Sequence, residues 1–356
     1  MEENSRLEHE KKVYCSENRK YIKELAKKDF GMFVGSVLTL DLTSACNYKC
    51  KHCIDYRLVQ REKKCEIDFE LVCRLIKELY EKGCRNIELT GGGEPTMYSK
   101  FQEFCRYASK TGYHLALVTN GSNLGKLINI FDEIHFDWVR VSIDAIDPEL
   151  YEEMHGISSE IMNDILNSIA CITTKTDVGI SYILGMQNSE DVYKALDVAQ
   201  KLKVSYLEVK PLKNRDSGER EISDDEYIDL ITQLKRKAHN VGVDLVYPSL
   251  CKKIECNSEK NKFVCWSSYL RTVLTPSGMY RCSYLRGRAD KKPVPHNVEE
   301  FIKYRNELNN CNNLCYNIEC SRRKLNEEIE KYITQLGSSI ENMTEEEIEI
   351  KDGRWL

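Results

Sequence analysis

The chain has 356 residues, of which 41% are hydrophobic, and a formal net charge of −5. This length exceeds what one hydrophobic core usually serves, so we expect a main domain and a smaller one. The small negative charge gives no electrostatic signature of nucleic-acid binding. No apolar run is long enough to span a membrane, and residues 1–35 lack the apolar core of a signal peptide. These features predict a cytoplasmic protein.

Residues 1–35 carry the pattern of a helix with evenly mixed charges and only sparse apolar positions, at Tyr14, Tyr21 and Leu25. Charge runs of this kind usually lie on a solvated face, so we predict a surface helix here. The chain also contains 16 cysteines. In a reducing compartment, this number indicates metal ligands and buried thiols rather than disulfides.

From residue 36 onward, strand patterns alternate with helical ones. The first helix of this series begins after Asp68 and ends at Gly83. Cys73, Cys84 and Cys105 lie in this series and are predicted to be buried core thiols. Six strands are predicted, at residues 36–42, 86–90, 114–119, 138–143, 178–184 and 206–210. Such alternation is typical of a parallel sheet in an α/β fold, with functional groups at the C-terminal ends of the strands.

Three cysteines, Cys46, Cys50 and Cys53, follow the first strand with the spacing C-x3-C-x2-C. Among 16 cysteines, chance spacing is the simplest alternative to a shared function. A structural zinc ion or a fully ligated [4Fe–4S] cluster takes four protein ligands. Three thiolates in one short loop therefore indicate a cluster with one position left open for another molecule.

The second predicted strand is followed by the sequence Thr-Gly-Gly-Gly-Glu-Pro at residues 90–95. Together with the cysteine motif, this arrangement resembles the radical S-adenosylmethionine (SAM) superfamily. The resemblance implies a [4Fe–4S] cluster on Cys46, Cys50 and Cys53 whose fourth iron is chelated by SAM. It also implies that the SAM amino group is bound by Gly92, Gly93 and Glu94. His52 stands where relatives usually carry an aromatic residue.

Further positions match patterns of that family. The Thr-Asn-Gly turn at residues 119–121 contains Asn120, and the Ser-x-Asp segment contains Ser142 and Asp144. The resemblance implies that these three residues bind SAM and that residues 180–188 pack on the adenine. It also implies an open (β/α)6 partial barrel of the TIM type over residues 36–250, and an electron donor such as flavodoxin or ferredoxin.

Period-2 alternation in the strands separates the side chains that face the helices from those that face the lumen. The lumen set is predicted to be polar and to contain Thr39, Asp41, Thr43, Arg140, Ser142, Asp144, Tyr206, Glu208 and Lys210. This composition suits a polar ligand, and we predict that Glu208 and Lys210 are catalytic. Alternatively, the charged members merely pair with one another as buried ions.

After residue 250 the β/α alternation ends and seven cysteines follow, at residues 251, 256, 265, 282, 311, 315 and 320. A predicted β-hairpin at residues 272–282 has Cys265 and Cys282 on its flanks. This small cysteine-rich region resembles the SPASM or shorter twitch extension of radical SAM enzymes. The resemblance implies an auxiliary [4Fe–4S] cluster, for which Cys265, Cys282, Cys311, Cys315 and Cys320 are five candidates for four positions. A structural zinc ion would suit the same thiolates.

The predicted domains are residues 1–35, the partial barrel at 36–250, the cysteine-rich domain at 251–325, and a C-terminal helix and acidic tail at 326–356. That helix is predicted over residues 321–336, with a break at Gly337. The resemblance implies an enzyme that cleaves SAM reductively and abstracts hydrogen from a small polar metabolite, such as a sugar, aminocyclitol or nucleotide. Dehydrogenation and epimerisation both remain open, as do maturation of a ribosomally made peptide and a non-catalytic iron–sulfur or zinc protein.

The metal content tests the predicted auxiliary cluster. We expect anaerobically purified protein to retain about four irons per chain when Cys46, Cys50 and Cys53 are all replaced by alanine, because four other thiolates still hold a cluster. Elemental analysis of iron and zinc, compared with the wild-type chain, measures this. Zinc alone in the variant would contradict the auxiliary cluster and support the structural zinc ion.

Overall fold

The computed structural model describes residues 16–26, 34–55, 65–214, 219–248, 265–286, 292–309 and 323–338. The chain divides into two compact units. The first comprises Met1–Thr39, Glu70–Ile87 and Ser249–Leu356, and the second comprises Leu40–Phe69 and Glu88–Pro248. The predicted domain boundaries at residues 35, 250 and 325 stay a prediction. Tyr14, Cys311, Cys315, Cys320 and the predicted tail after residue 338 lie outside the described residues.

The second unit is built on an open, mostly parallel sheet with the strand order β7-β6-β5-β4-β3-β2-β1. Its strands are β1 (Val37–Asp41), β2 (Asn86–Thr90), β3 (His114–Thr119), β4 (Phe136–Ser142), β5 (Asp177–Leu184), β6 (Tyr206–Pro211) and β7 (Asp244–Val246). The first residues of β1 and β2 belong to the first unit. The sheet does not close, which confirms the predicted α/β fold of the partial-barrel type.

Helices connect these strands along the chain. They are α2 (Phe69–Glu81), α3 (Phe101–Thr111), α4 (Leu124–Leu127), α5 (Ile130–Glu133), α6 (Pro148–His155), α7 (Ile161–Ile172), α8 (Asp191–Lys201) and α9 (Asp224–Val241). Their ends follow the local sequence. Asp147 caps the start of α6 by accepting from two backbone N–H groups, and Ser223 and Glu226 form a capping box at the start of α9.

The predicted strands agree with the observed ones to within two residues at each end. β7 was not predicted, because three residues are too short to show an alternating pattern. The predicted core thiols Cys73, Cys84 and Cys105 are all buried. In the described part of the chain, no helix has the length and apolar character needed to cross a membrane.

The first unit contains α1 (Ser16–Ala26), α10 (Ser267–Leu270), β8 (Arg271–Thr275), β9 (Gly278–Tyr280), α11 (Val298–Asn309) and α12 (Arg323–Ser338). The strands β8 and β9 are antiparallel, which confirms the predicted hairpin. Gly278 has φ of 139°, and a Cβ at this position would overlap the carbonyl oxygen of Val294. The turn therefore requires glycine for two reasons.

The prediction of a solvated helix in residues 1–35 is wrong. In α1, Ile22 and Leu25 are fully buried. They belong to an apolar cluster of the first unit that also contains Trp266, Tyr269, Leu270, Leu325, Ile329 and Tyr332. Two apolar residues three positions apart are enough to pack one face of α1 against this cluster, while the charged residues of α1 lie on its opposite face. The predicted break at Gly337 is also wrong, because α12 continues to Ser338.

Truncation of Ile22 tests the docking of α1. We expect Ile22→Ala to lower the free energy of unfolding by about 2–5 kcal/mol, because it leaves a cavity in a closed apolar cluster. The exposed Lys20 on the same helix is the control, and Lys20→Ala should change that free energy by less than about 0.5 kcal/mol. Denaturant unfolding of the two variants measures the difference, and equal stabilities would contradict the packing of α1.

Candidate functional site

The three predicted cluster cysteines lie in residues 44–54, here called the cysteine loop, which follows β1. The turn after β2 holds the start of this loop, where the Glu94 N–H donates to the carbonyl oxygen of Ala45 at 2.8 Å. Gly93 lies so close that a Cβ on it would overlap the same oxygen. Glycine is therefore required at position 93 by the close approach of two backbone segments. In addition, the Gly92 N–H donates to Asp41 Oδ2 at 3.0 Å.

The turn after β3 holds the cysteine loop through side chains. The Asn120 amide donates to Asn47 Oδ1 at 2.9 Å, and the Asn47 amide donates to Ser122 Oγ at 2.8 Å. The Ser122 hydroxyl completes the ring of bonds by donating to Asn120 Oδ1. Asn120, which was predicted as a SAM ligand, is thus part of the support of the loop. Sequence reasoning missed Asn47 and Ser122.

The C-terminal end of α6 holds the middle of the cysteine loop. The Lys49 N–H donates to the His155 carbonyl and the Lys51 N–H to the Met154 carbonyl, each at 3.0 Å. These carbonyls belong to the last turn of a helix, where intrahelical donors are lacking. Gly156 then ends the helix with φ of 64°, and a Cβ there would lie 2.9 Å from the Lys49 oxygen.

Aromatic side chains strengthen the contact between the cysteine loop and α6. The hydroxyls of Tyr48 and Tyr151 are hydrogen-bonded at 2.9 Å and both residues are buried. Burial raises the pKa of Tyr151 to about 12. His155 lies against both rings. Its Nε2 is 2.7 Å from the Ile143 carbonyl, which can only accept, so Nε2 carries a proton and Nδ1 faces the Cys50 sulfur at 3.3 Å.

The three cysteines of the loop are each partly accessible. Burial raises the pKa of Cys50, and the nearby charges of Asp144, Cys53 and Cys46 raise it further. Among the described residues, no three His, Cys, Asp or Glu side chains are arranged to hold a single metal ion. A cluster does not need that arrangement, since each cysteine binds its own iron. Three soft, mutually close thiolates on an anchored loop fit a [4Fe–4S] group.

Glu94 is buried and its carboxylate accepts several hydrogen bonds. The Thr119 and Thr96 hydroxyls each donate at 2.6 Å, and the Asn120 N–H donates at 2.8 Å. Burial raises the pKa of Glu94, although these hydrogen bonds oppose the shift. The side chain thus joins the turn after β2 to the end of β3. Its predicted contact with the SAM amino group stays a prediction.

Asp144 lies just after β4 in a left-handed conformation, with φ of 55°. Its Oδ1 accepts from the Ile183 N–H at 2.8 Å, and its Oδ2 is 3.9 Å from His155 Nε2. Burial raises the pKa of Asp144, against the effect of His155. The buried Asn188 donates to the carbonyls of both Asp144 and Ile183 and so fixes the neighbouring ends of β4 and β5. This strained position is typical of a functional site.

A second polar network supports the end of β4. The Asp191 carboxylate accepts from the Ile146 and Asp147 N–H groups and from the Tyr182 hydroxyl. Ser142, at the end of β4, is half-buried and pairs in register with Ser181 of β5. Sequence reasoning missed Asp191 and its partner Tyr182. An acidic residue at the start of a helix, such as Asp191, usually indicates only a favourable interaction with the helix end.

Three of the charged side chains predicted for the lumen, Arg140, Glu208 and Lys210, form one row. Glu208 Oε2 lies 2.6 Å from Lys210 Nζ and 3.2 Å from Arg140 Nε, and Arg140 Nη2 is 3.9 Å from Glu88. Burial alone would raise the pKa of Glu208, but the charges of Arg140 and Lys210 outweigh it, and the pKa is lowered. Arg140, Glu208 and Lys210 thus pair with one another, as the alternative prediction states. Asp144 does not join them in an ion pair and faces His155 instead. The catalytic role of Glu208 and Lys210 stays a prediction.

The predicted auxiliary cluster is only partly within the described residues. Cys265 is buried, with its sulfur 3.5 Å from the Ser267 hydroxyl, and Cys282 packs against Val273, Tyr280 and Leu285. The other three candidates lie outside the described residues. The ligand set of this region therefore stays a prediction.

Residues 40–206 match the family model described as "Radical SAM superfamily". The chain contains a radical SAM domain. This match covers the cysteine loop, the turns after β2 and β3, and the end of β4. The radical SAM family uses a [4Fe–4S] cluster and SAM, which are the cofactors implied by the resemblance.

Curated relatives match parts of the chain. The Fe-coproporphyrin III synthase of Methanosarcina barkeri is 26% identical over 218 residues, which is 58% of this chain and 53% of that protein. The probable GTP 3′,8-cyclase of Thermococcus kodakarensis is 34% identical over 121 residues, or 34% of this chain and 38% of that protein. The chain thus spans about half or less of the length of these relatives.

Solved structures share the fold. SuiB of Streptococcus suis bound to the precursor peptide SuiA aligns with a TM-score of 0.61 and 16% identity, over 80% of this chain and 66% of that chain. Native anSMEcpe with bound AdoMet aligns with a TM-score of 0.56 and 14% identity, over 85% of this chain and 99% of that chain. At sequence identities of 14–16%, these comparisons show a shared fold and nothing further.

Gly93→Ala tests the tight contact between the turn after β2 and the cysteine loop. We expect this variant to lose most of the iron bound by the loop, because the added Cβ must push Ala45 away. Gly125→Ala is the control, since its Cβ meets only the Ser168 hydroxyl, at 3.2 Å. Both variants are made without the C-terminal cysteines 311, 315 and 320, and iron per chain is measured. Equal iron contents would show that the contact does not position the loop.

Proposed function

We propose that the protein cleaves SAM reductively and uses the resulting 5′-deoxyadenosyl radical to abstract hydrogen from a substrate bound in the lumen. The observation that carries this proposal is the cysteine loop, which is held by the turns after β2 and β3 and by α6. A [4Fe–4S] cluster with bound SAM supplies the one-electron cleavage to methionine and the radical. The chain must position the cofactors and exclude competing reactions.

The chain's own residues suit this task. Cys46, Cys50 and Cys53 would hold the cluster, and the Gly92, Gly93 and Glu94 turn would hold the SAM amino group. The hydrogen bonds that fix Glu94 keep its carboxylate in one place, so little reorganisation is needed when SAM binds. Asn120, Ser142 and Asp144 lie at the ends of β3 and β4, where they would line the same site.

We infer a small polar metabolite as the substrate. The support is the charged row of Arg140, Glu208 and Lys210 in the lumen, together with curated relatives whose names refer to GTP and to Fe-coproporphyrin III, both small molecules. The reaction would be an oxidation or an epimerisation. A product that gains deuterium from deuterated water at one carbon would indicate epimerisation, and a product two hydrogens lighter would indicate dehydrogenation.

Maturation of a ribosomally made peptide is the second candidate, because SuiB, which shares the fold, was solved with its precursor peptide SuiA. A gene for a short precursor peptide beside the gene for this protein would favour that candidate. A flavodoxin or ferredoxin would be the electron donor in either case.

Formation of 5′-deoxyadenosine tests the proposal. We expect anaerobically reconstituted, dithionite-reduced protein to convert SAM to 5′-deoxyadenosine, with the rate rising when a low-molecular-weight cell extract supplies substrate. Cys50→Ala should abolish the product, because one cluster ligand is lost, whereas Cys171→Ala, at an exposed cysteine, should leave the rate unchanged. Mass spectrometry measures the nucleoside. Its absence from the wild-type protein would support a non-catalytic iron–sulfur protein instead.

A further inference from the structure

The charged row in the lumen has one buried end and one accessible end. Glu208 is 3% exposed and is held from two sides by Arg140 and Lys210, and also by the Ser181 hydroxyl. Arg140 in turn approaches Glu88 and lies over the ring of Trp138, 5.3 Å from its centroid. Lys210 is the accessible end, with 39% of its side chain exposed.

Glu208 is therefore a fixed counter-ion rather than a group free to accept a proton. Its carboxylate already compensates two cations, which would lose their shared counter-ion if Glu208 were protonated. Lys210 differs, because an ammonium has three N–H groups and Glu208 is its ion-pair partner among the described residues. Because its side chain is also 39% exposed, Lys210 has donor capacity beyond this ion pair.

The register of the sheet places Lys210 at the border of the expected cofactor residues, because its register partner Ile183 donates its N–H to Asp144. Glu208 pairs with Ser181, and Lys210 pairs with Ile183, one side-chain layer nearer the C-terminal ends of the strands. The predicted SAM and cluster residues follow β1 to β4. β6 is two strands beyond β4, which corresponds to about 10 Å across the sheet. A ligand group held by Lys210 would therefore lie beside the cofactor.

The geometry points to Lys210 as the anchor for an oxyanion of the substrate, a carboxylate or a phosphate, with Arg140 and Glu208 as the positioning residues that fix the ammonium. This inference rests on the proposed function and names the class of its substrate. Burial and the charge of Arg140 lower the pKa of Lys210, whereas the charges of Glu208 and Asp144 raise it. An added anion would stabilise the charged form of Lys210 further. Sugars and cyclitols without an acidic group would lack this contact.

Binding of simple oxyanions tests the inference on the reconstituted, SAM-loaded and unreduced protein. The probes are inorganic phosphate, succinate and the neutral isostere succinamide, with dissociation constants measured by isothermal titration calorimetry. We expect phosphate or succinate to bind at least tenfold more tightly than succinamide. We expect Lys210→Gln to weaken this binding tenfold or more, and Lys210→Arg to restore it to within about threefold. The exposed Lys126 provides the control, and Lys126→Gln should bind like wild type.

A second measurement uses the wild-type chain alone, so it does not depend on the folding of a variant. The bound oxyanion should protect Lys210 from amine-reactive labelling, read by mass spectrometry, and should leave the labelling of Lys126 unchanged. Equal affinity for succinate, phosphate and succinamide would overturn the inference, as would equal labelling of Lys210 with and without the probes.

SAM itself carries a carboxylate, so Lys210 could bind either SAM or the substrate. Measuring the binding of SAM to Lys210→Gln separates these two cases. If Lys210→Gln weakens the binding of SAM as much as that of the probe, Lys210 serves SAM and the substrate assignment is overturned. The failure of the proposed function would show differently. The wild-type protein would then form no 5′-deoxyadenosine, whatever the calorimetry shows.

Discussion

The anchoring of the cysteine loop is the constraint on which the rest of the site depends. The loop belongs to no helix or strand, so its backbone polar groups need partners outside it. The turn after β2 and the last carbonyls of α6 bond the backbone of the loop, and the turn after β3 bonds the side chain of Asn47. The loop therefore takes its shape from three elements that are far apart in sequence. A cluster held by it would inherit that rigidity, which a one-electron reaction at a fixed distance requires.

Helix α6 contributes more than its exposed carbonyls. His155 is fixed by the Ile143 carbonyl at one nitrogen and presents the other to the sulfur of Cys50. A partner of this kind orients a metal ligand and tunes the electronics of the group it holds. The paired hydroxyls of Tyr48 and Tyr151 fill the space between the helix and the loop. The connection from β4 to α6 is thus part of the cluster site, although it lies about a hundred residues after the cysteines.

Sequence reasoning located the strands and the cysteine loop because their signals are local. The alternation of apolar and charged residues in β6 and the turn residues at Gly93 and Asn120 can each be recognised from a few neighbouring residues. The supporting contacts could not be predicted in the same way. Asn47 and Ser122 are polar residues in turns, and nothing in their surroundings indicates that they meet across 75 positions.

The docking of α1 was missed for a related reason. Its burial depends on an apolar cluster formed with residues around 266–270 and 325–332, so a charge-rich helix with two apolar residues showed no local sign of it. The roles of the lumen charges were left undecided because alternation shows which face a side chain occupies and not what it meets. Cys311, Cys315 and Cys320 have a suggestive spacing, but spacing fixes no geometry.

Strand β4 is where the two halves of the proposed mechanism meet. Its last residues lead to Ser142 and Asp144, on the side of the expected cofactor, while Arg140, two residues earlier, begins the charged row. A shift of β4 along its axis would therefore move both sets together. The strained φ of Asp144 and the bonds from Ile183 and Asn188 oppose such a shift. The distance between the radical and the substrate's anchored group would then depend on the position of β4, through Asp144 on one side and the pairing of Arg140 with Glu208 on the other.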